Sequence, residues 1–331
     1  MLTLGIETSC DETGASIVEN GHKVLSNTVA SSLEFHKKYG GVVPEIATRY
    51  HLEVIDFVVR DCLSAAGRRS DDVDLIAVTH GPGLVGSLLV GISFAKALGY
   101  SLGKPVIGVN HLWAHIYSGL IDRAEIRFPL MGLVVSGGHT GLVLCEDIGR
   151  FRLLGRTKDD AVGEAFDKVA KVLELGYPGG PAIQKAAEAG DPDAVKFSPA
   201  YLGEDSCDFS FSGLKTAVLY YIKGKRLTGK AKADIAASFQ KAAVGSIVER
   251  SIAVCVSRKI NTLIVGGGVS ANTLLRKERA AAARANGIEA VFPPMRYCLD
   301  NGAMIAATGY MLFRKGIRSD RYLSAEPDLE I

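Results

Sequence analysis

Paired cysteines and a basic start are both missing from this sequence. The six cysteines stand singly, with no CxxC spacing, so the framework of a small disulfide-stapled secreted domain is absent. The first twenty residues contain neither Lys nor Arg, which excludes the charged start of a signal peptide. We therefore expect reduced cysteines and a cytoplasmic protein that is not exported.

A long uncharged apolar run is also missing. The most apolar stretch, residues 83–99, is short, rich in glycine and interrupted by Lys96, which favours a buried helix over a membrane span. The formal net charge of +2 points to neither an acidic nor a basic partner, because local clusters of charge create a binding field. With 331 residues, 47% of them hydrophobic, the chain is long enough for two domains.

The spacing of apolar residues predicts an α/β protein. Three closely spaced strand-like segments, 3–9, 14–19 and 23–30, predict an antiparallel meander, and a helix is predicted from Pro44 to about Ala66. A strand, a helix over 84–100 and another strand complete this first half. Such alternation of strands and helices is typical of an α/β fold.

The second half repeats this element order from residue 129, with helices predicted near 161–175, 234–258, 272–286 and 302–315. The two first hairpins align without a gap, which indicates an internal duplication. A cleft between two similar lobes is the expected place for a ligand. The matching residues, at a constant offset of 127, are Gly5, Ser9, Thr13 and Gly14 with Gly132, Ser136, Thr140 and Gly141.

Three glycine-rich turns follow predicted strands, at 79–87, 134–141 and 265–273. Glycine lets the backbone approach an anion closely, and a following helix start supplies free N–H groups, so these turns are candidates for phosphate binding. Ordinary turn geometry explains each of them equally well when taken alone. Neither GxxxxGK[ST] nor a GxGxxG that opens the first helix is present, so a P-loop and a Rossmann site are not supported.

The segment HLWAH places His111 and His115 four residues apart after a predicted strand. On a helix both rings point the same way, as two ligands of one metal require, although two histidines that cap or pack a helix start fit the same spacing. Asp300 is a candidate third ligand, and two imidazoles with one carboxylate leave coordination positions open. The residue after the first histidine is Leu112 and not the glutamate base of a zincin protease, which disfavours peptide hydrolysis.

Two further charged segments carry candidate residues. Asp11 and Glu12 stand in the turn of the first hairpin, where they either orient a substrate or form a solvated turn. The run KGKRLTGKAK at 223–232 holds five basic residues and no acid, which suits a solvated loop or a contact with a nucleic-acid backbone. The segments at 163–171 and 208–216 are interpreted as amphipathic packing segments.

The motifs together resemble the universal tRNA N6-adenosine threonylcarbamoyltransferases, in their bacterial form. The resemblance spans almost the whole chain and rests on GIETSCDET, GGVVPE, GPGLVGSLLVG, NHLWAH, VSGGHT, GEAFDKVAK, YPGGP, DFSFSGLKT, GGGVSAN and DNGAM in this order. It implies transfer of threonylcarbamoyl from threonylcarbamoyl-AMP to N6 of the adenosine 3′ of the anticodon, in tRNAs that read codons beginning with A.

The resemblance also implies a two-lobed fold similar to actin, the 70-kDa heat-shock proteins and sugar kinases, with duplicated RNase H-like domains and a central cleft. The expected N-terminal lobe covers 1–127, completed by a C-terminal helix at about 300–331. The second lobe covers 128–299, with an insertion at about 176–233.

Site residues, cofactors and partners follow from the same resemblance. It implies one divalent or trivalent metal, with iron expected first and zinc or magnesium as alternatives, and a ligand that is threonylcarbamoyl-AMP or an ATP- or ADP-like nucleotide. The implied partners are tRNA, an inactive paralogous subunit, a small ATPase subunit and a threonylcarbamoyl-AMP synthase that supplies the substrate, with no membrane. The residues that it implies are His111, His115 and Asp300 for the metal, and Val134, Val135, Ser136, Gly137, Gly138, Asp167, Gly180 and Asn272 for the adenylate. The turns and charged segments described above add Asp11 and Glu12 as catalytic candidates, Gly266, Gly267 and Gly268 as phosphate-loop candidates, and Lys223, Lys225 and Arg226 as tRNA-contact candidates.

Two other function classes fit the sequence. A small-molecule ATP-dependent kinase of the same fold would use the glycine turns for ATP, and would transfer phosphoryl with magnesium and no histidine ligand. A nucleotide-dependent binding module would perform no chemistry. Activity after loss of both histidines distinguishes the kinase, and inactivity with all partners present distinguishes the binding module.

Overall fold

The computed structural model describes residues 1–123, 127–203 and 205–331, and the chain divides into two units. Unit 1 comprises Met1–Arg127, Asp147–Arg150 and Pro293–Ile331, and unit 2 comprises Phe128–Glu146 and Phe151–Phe292. The C-terminal return to unit 1 thus begins at Pro293, ahead of the expected residue 300. The physical reason is that the Tyr297 side chain is buried in a unit 1 cluster with Val18 and Ala303.

Unit 1 contains one five-stranded sheet. Its strands are β1 (Leu2–Glu7), β2 (Glu12–Glu19), β3 (Lys23–Ser31), β4 (Leu75–Gly81) and β5 (Val106–Asn110). They lie in the order β3-β2-β1-β4-β5. Strands β1 to β3 are antiparallel, which confirms the predicted meander, while β4 is parallel to β1 and β5 is parallel to β4.

Unit 2 contains a second sheet with the same topology. Its strands are β6 (Leu130–Val135), β7 (Thr140–Asp147), β8 (Arg150–Arg156), β9 (Thr262–Gly266) and β10 (Glu289–Val291). The order β8-β7-β6-β9-β10 reproduces that of unit 1 strand for strand. The hairpin registers also match, because Glu7 pairs with Gly14 in unit 1 while Val134 pairs with Gly141 in unit 2.

Helices cover these sheets. They are α1 (Leu33–His36), α2 (Pro44–Ala65), α3 (Val85–Leu102), α4 (His111–Tyr117), α5 (Val162–Val172), α6 (Gly179–Ala187), α7 (Ser212–Ile222), α8 (Gly229–Arg258), α9 (Thr273–Ala285) and α10 (Gly302–Arg314). In unit 1, α2 packs on β2 and β3, and α10 packs on β1, β2 and β4. In unit 2, α8 packs against α6, α7 and α9 around an apolar core.

Helix α3 is the one helix of the described residues that is long and apolar enough to cross a membrane. Its residues Leu88, Ile92 and Ala95 lie in an apolar core together with residues of β1, β4 and α2. The apolar run at 83–99 therefore forms a helix that packs on the unit 1 sheet, in agreement with the predicted buried helix.

Candidate metal centre and glycine turns

The two histidines are brought together by the start of α4. Asn110 ends β5 and caps the helix, since its Oδ1 accepts hydrogen bonds from the N–H groups of Leu112 (2.9 Å) and Trp113 (3.2 Å). This cap makes His111 the first residue of α4, with His115 one turn later on the same face. The two ring centroids are 4.5 Å apart.

Asp300 lies at the same place, immediately before the cap of α10. Asn301 caps that helix through its Oδ1, which accepts from Met304 N–H at 3.1 Å. Asp300 Oδ1 is then 3.1 Å from His115 Nε2 and 3.6 Å from His111 Nε2. One potential ligand atom from each of these three residues lies within 4.8 Å of the others, so the predicted ligands are close together in unit 1.

The donor set and its burial fit a cation. Both ring nitrogens of His115 are buried, and Nε2 lies 3.1 Å from the Asp300 carboxylate without a well-aligned hydrogen bond to any described residue. A buried polar atom that is poorly satisfied is costly, and a metal bound at His115 Nε2 would remove that cost there. Two imidazoles and one carboxylate suit iron, zinc or a related ion and leave positions open for a substrate.

Glu7 is a buried acid that the sequence patterns did not single out. Its carboxylate accepts hydrogen bonds from Thr79 Oγ1 (2.7 Å), His111 Nδ1 (3.0 Å) and Ser9 N–H (2.5 Å). Burial opposes ionisation of Glu7, but the adjacent His111 lowers the pKa of this carboxyl below its ordinary value. A carboxylate that accepts the Nδ1 proton of a ligating histidine orients the ring, so that Nε2 faces the metal.

The electrostatics of His111 follow from the same arrangement. Burial alone would lower the pKa of His111, but the charges of Glu7 and Asp300 raise this pKa to about 9. Without a metal, the centre therefore carries a proton that a cation displaces on binding. A signal for Glu7 was present in the sequence, because it is an acid at the end of the apolar strand LTLGIE.

Asp11 lies in the turn between β1 and β2, and Glu12 is the first residue of β2, beside the same centre. Burial, followed by the charges of Asp300 and Asp11, raises the pKa of Glu12 to about 10. Burial and the same acids raise the pKa of the Cys10 thiol well above its ordinary value. With a pKa this high the Glu12 carboxyl is protonated near neutral pH, so it can donate a hydrogen bond beside the three ligands.

The second glycine turn, between β6 and β7, differs from this acidic turn. Val134 and Val135 are buried residues of β6, while Gly137 and Gly138 are exposed, with open space beside their α carbons. The turn closes on itself, because Ser136 N–H donates to the His139 carbonyl at 2.8 Å. The N–H of Ser136 is thus engaged within the turn.

The other adenylate candidates lie on or beside helices of unit 2, with Asp167 in the middle of α5, Gly180 in the first turn of α6 and Asn272 at the cap of α9. Asp167 Oδ1 accepts from Gly179 N–H at 2.7 Å, and burial raises the pKa of Asp167. Asn272 caps α9 by accepting from Leu275 N–H at 3.0 Å, while its amide nitrogen donates to Gln240 at 2.8 Å. Gly180 has open space beside its α carbon.

The third glycine turn, which contains Gly266, Gly267 and Gly268, follows β9. Because β6 and β9 are parallel neighbours, this turn and the turn at 136–139 leave the same edge of the unit 2 sheet. Gly267 has a φ of 93°, and a Cβ there would lie 2.4 Å from the Val135 carbonyl oxygen. Packing against β6 therefore requires glycine at this position.

The first glycine turn, residues 79–87, is packed against the protein's own backbone, which favours ordinary turn geometry over phosphate binding there. The N–H of Leu84 donates to the Ser9 carbonyl (2.8 Å), and that of Gly83 donates to the Pro327 carbonyl (3.1 Å). A Cβ at Gly81 would lie 2.0 Å from the Glu326 carbonyl oxygen. The glycines admit the chain's own backbone, which leaves these two N–H groups engaged.

The basic run divides into paired and unpaired charges. Lys230 forms an ion pair with Asp234 (2.6 Å), and Lys232 forms one with Glu174 (2.7 Å). Lys223, Lys225 and Arg226 are exposed and make no ion pair with any acid of the described residues. Lys225 Nζ instead lies 3.5 Å from the ring centroid of Tyr221.

The two amphipathic segments pack as predicted. Phe166 in α5 and Phe209 and Phe211 before α7 are buried in the unit 2 core. Asp160 forms ion pairs with Lys168 of the first segment (2.8 Å) and Lys215 of the second (3.2 Å), which links the two segments.

Solved structures that resemble the chain show its fold. HypF from T. kodakarensis superposes with a TM-score of 0.65 at 16% identity, covering 95% of this chain and 48% of that one. The ROK hexokinase from Thermus thermophilus gives 0.50 at 14% identity, covering 96% and 99%. The chain thus has the duplicated α/β fold of the actin and sugar-kinase class.

Sequence comparisons identify the family. The family model described as tRNA N6-adenosine threonylcarbamoyltransferase matches residues 23–307. A protein of that name from Symbiobacterium thermophilum is 54% identical over 329 residues, covering 99% of this chain and 96% of its own. Another from Clostridium perfringens strain 13 is 49% identical over 332 residues, covering 100% and 98%. The chain therefore belongs to the tRNA N6-adenosine threonylcarbamoyltransferase family.

Proposed function

We propose that the chain transfers the threonylcarbamoyl group from threonylcarbamoyl-AMP to N6 of the adenosine 3′ of the anticodon, in tRNAs reading codons that begin with A. Family membership defines the reaction, and the close approach of His111, His115 and Asp300 is the observation in the fold that carries the proposal. The family assignment also disfavours the kinase alternative, which has no use for two histidine ligands.

His111, His115 and Asp300 would hold the metal. When bound, the ion would supply Lewis acidity and anchor the threonylcarbamoyl end of the substrate. Glu7 would keep the His111 ring oriented through the Nδ1 hydrogen bond of 3.0 Å. Iron is the metal that the family resemblance implies, and the donor set also suits zinc.

The nucleotide end is assigned to unit 2. Gly137 and Gly138 present an open backbone after β6, Gly180 and Asn272 lie at starts of helices in the same unit, and Asp167 contacts the start of α6 through Gly179. The main chain of Val134 and Val135 positions that turn, while the buried side chains support the core. The turn containing Gly266, Gly267 and Gly268 leaves the same sheet edge and is the adjacent phosphate candidate.

The chemistry requires positioning more than a covalent intermediate. The carbamoyl carbon is joined to AMP as a mixed anhydride, so AMP is a good leaving group. The adenosine N6 attacks this carbon, the bond to the AMP oxygen breaks, and N6 loses one proton. Asp11 is assigned to orient the amine or accept that proton. Glu12, whose pKa is about 10, is assigned to donate a hydrogen bond near the nucleotide.

Lys223, Lys225 and Arg226 are assigned to the tRNA backbone, since their charges are not neutralised by described acids while those of Lys230 and Lys232 are. Replacing all three by alanine should raise the KM for tRNA about 3- to 10-fold and weaken its salt dependence. The matched control replaces Lys230 and Lys232, and it should change the KM less than twofold. Equal effects of both variants would contradict the assignment.

Labelled threonine incorporated into tRNA tests the whole proposal. The assay supplies the adenylate-forming synthase with the inactive paralogue and the small ATPase, the partners implied by the family resemblance. It compares wild type with a His111→Ala, His115→Ala double variant, and His22→Ala, an exposed histidine elsewhere in unit 1, serves as the control. We expect labelling by wild type and the control only, together with loss of bound metal from the double variant. Labelling by a metal-free double variant would refute the metal assignment, and a wild type that labels nothing would refute the function.

A further inference from the structure

The turn Ser9–Thr13, which carries Asp11 and Glu12, is anchored at three consecutive carbonyl groups. The Ser9 carbonyl accepts from Leu84 N–H (2.8 Å), the Cys10 carbonyl from His51 Nε2 (3.0 Å), and the Asp11 carbonyl from Ser32 N–H (3.0 Å). Each donor belongs to a different segment of unit 1. Because peptide groups are planar, three anchored carbonyls fix the backbone that orients both acidic side chains.

The tautomer of His51 follows from its partners. A carbonyl oxygen only accepts, so Nε2 carries the hydrogen that is donated to Cys10. Burial lowers the pKa of His51, so the ring is neutral and Nδ1 accepts a hydrogen bond from Thr13 Oγ1 at 2.7 Å. His51, which lies on α2 and is fully buried, therefore links the two ends of the Cys10–Thr13 segment.

A second histidine supports the same turn through Ser32. Val43 N–H donates to His36 Nδ1 at 3.3 Å, so Nε2 of the neutral ring carries the hydrogen and donates to Ser32 Oγ at 2.9 Å. The Ser32 hydroxyl then donates to the Asp11 carbonyl at 2.9 Å. His36 and Ser32 are both fully buried, so water does not compete for these hydrogen bonds.

We propose that His51 and His36 are positioning residues that hold the turn Ser9–Thr13 in the one conformation from which Asp11 and Glu12 act. This inference rests on the proposed function. In the corresponding turn of unit 2 the Ser136 carbonyl accepts from Gly163 N–H (3.2 Å), as the Ser9 carbonyl does from Leu84, but the turn is otherwise closed by hydrogen bonds between Ser136 and His139 and no histidine of a neighbouring helix is seen to brace it among the described residues. The extra anchors occur on the turn that carries the acids.

The test uses His51→Phe, which keeps a ring of similar size and removes both hydrogen bonds, and Thr13→Val, which removes one. We expect kcat for threonylcarbamoyl transfer to fall about 10- to 100-fold in His51→Phe, with KM for tRNA and metal content unchanged. His51→Gln retains an N–H donor for the Cys10 carbonyl and should recover part of kcat. The double variant His51→Phe, Thr13→Val should be no slower than His51→Phe alone, because both substitutions remove the same connection between His51 and the turn.

Hydrogen exchange in the peptide spanning residues 8–14 gives a readout that does not depend on activity. Exchange should be faster in His51→Phe than in wild type, and Ser32→Ala, which interrupts the His36 link, should act in the same direction if His51→Phe fails to fold. An unchanged kcat together with unchanged exchange would overturn the inference. So would loss of activity that parallels loss of metal. If wild type transfers nothing, the proposed function fails, while exchange still decides whether the histidines hold the turn.

Discussion

The hairpin turn of unit 1, SCDET (9–13), and that of unit 2, SGGHT (136–140), occupy the same place in two sheets of the same topology. In unit 1 the turn carries two acids and is anchored to three other segments. In unit 2 two glycines leave an exposed backbone. Under the proposed function, one duplicated frame supports side-chain chemistry at one turn, and close approach of main chain to a ligand at the other.

The duplicated threonines show the same divergence. Thr13 donates its hydroxyl to His51 of α2, whereas Thr140 Oγ1 accepts from Val162 N–H at the start of α5 (2.9 Å). Both residues connect the hairpin to the first long helix of their unit. The two threonines thus occupy the same place in their hairpins but have different hydrogen-bond partners.

The largest expected effect comes from neutralising Asp300, the carboxylate of the candidate metal centre in unit 1. Asp300→Asn keeps the shape of the side chain but replaces the anionic ligand, so metal affinity should fall about 100-fold or more. Metal titration measured by calorimetry checks this value. Asp56→Asn, which changes a half-exposed acid paired with Arg60 on α2, is the control and should bind metal like wild type. Unchanged affinity in Asp300→Asn would exclude this carboxylate as a ligand.

A smaller effect on metal affinity is expected from replacing Glu7, the acid that accepts a hydrogen bond from His111. Glu7→Gln removes the charge that orients His111 and balances its proton, while the amide oxygen can still accept from Nδ1. Metal affinity should fall about 10- to 100-fold, which is less than for loss of a direct ligand. The same titration measures it, and a loss as large as that in Asp300→Asn would contradict a supporting role for Glu7 and indicate that it binds the metal directly.

In unit 2, a methyl group added at Gly163 should displace the turn at 136–139. A Cβ at Gly163 would lie 2.6 Å from the Ser136 carbonyl oxygen, and backbone atoms cannot move aside easily. Gly163→Ala should lower the free energy of unfolding by about 1–3 kcal/mol. The control is Gly245→Ala in α8, where the space is open and helix propensity predicts a gain of about 0.5–1 kcal/mol. Chemical denaturation measures both, and a stabilised Gly163→Ala would contradict the packing.

The smallest effect on stability is expected at the tip of the same turn. Gly137 has open space around its α carbon, so Gly137→Ala should change the free energy of unfolding by no more than about 0.5 kcal/mol. Nucleotide binding should nevertheless weaken, since the methyl group blocks close approach to the backbone. Parallel denaturation and AMP titration separate the two effects. Unchanged AMP binding would argue against this turn as the nucleotide site.

Much of the fold could be predicted from local pattern. The meander, the helix from Pro44 and the strands at both sheet centres follow from apolar periodicity, which is a property of neighbouring residues. The duplication was visible as four matches at one offset, and the strand registers agree with it. The pairing of His111 with His115 required only helical spacing.

The rest depended on residues distant in sequence. In the sequence, Glu7 is only the last residue of an apolar strand. The folded chain shows that it accepts a hydrogen bond from His111, 104 residues away. The turn at 79–87 resembled an anion-binding loop, yet its amide groups bind Ser9 and Pro327. Glycine is required there by packing, which no local pattern distinguishes from ligand binding.

The sequence by itself determined the element order, the repeat and the helix caps, because these depend on residues within a turn or a strand of one another. Its motifs also determined the family. Tertiary structure alone decided which charges meet: that Asp300 faces both histidines, that His36 and His51 support the acidic turn, and that Lys230 and Lys232 are neutralised while their neighbours are not. These contacts join segments far apart in the chain, and electrostatic and hydrogen-bond energies depend on distance in space and on burial.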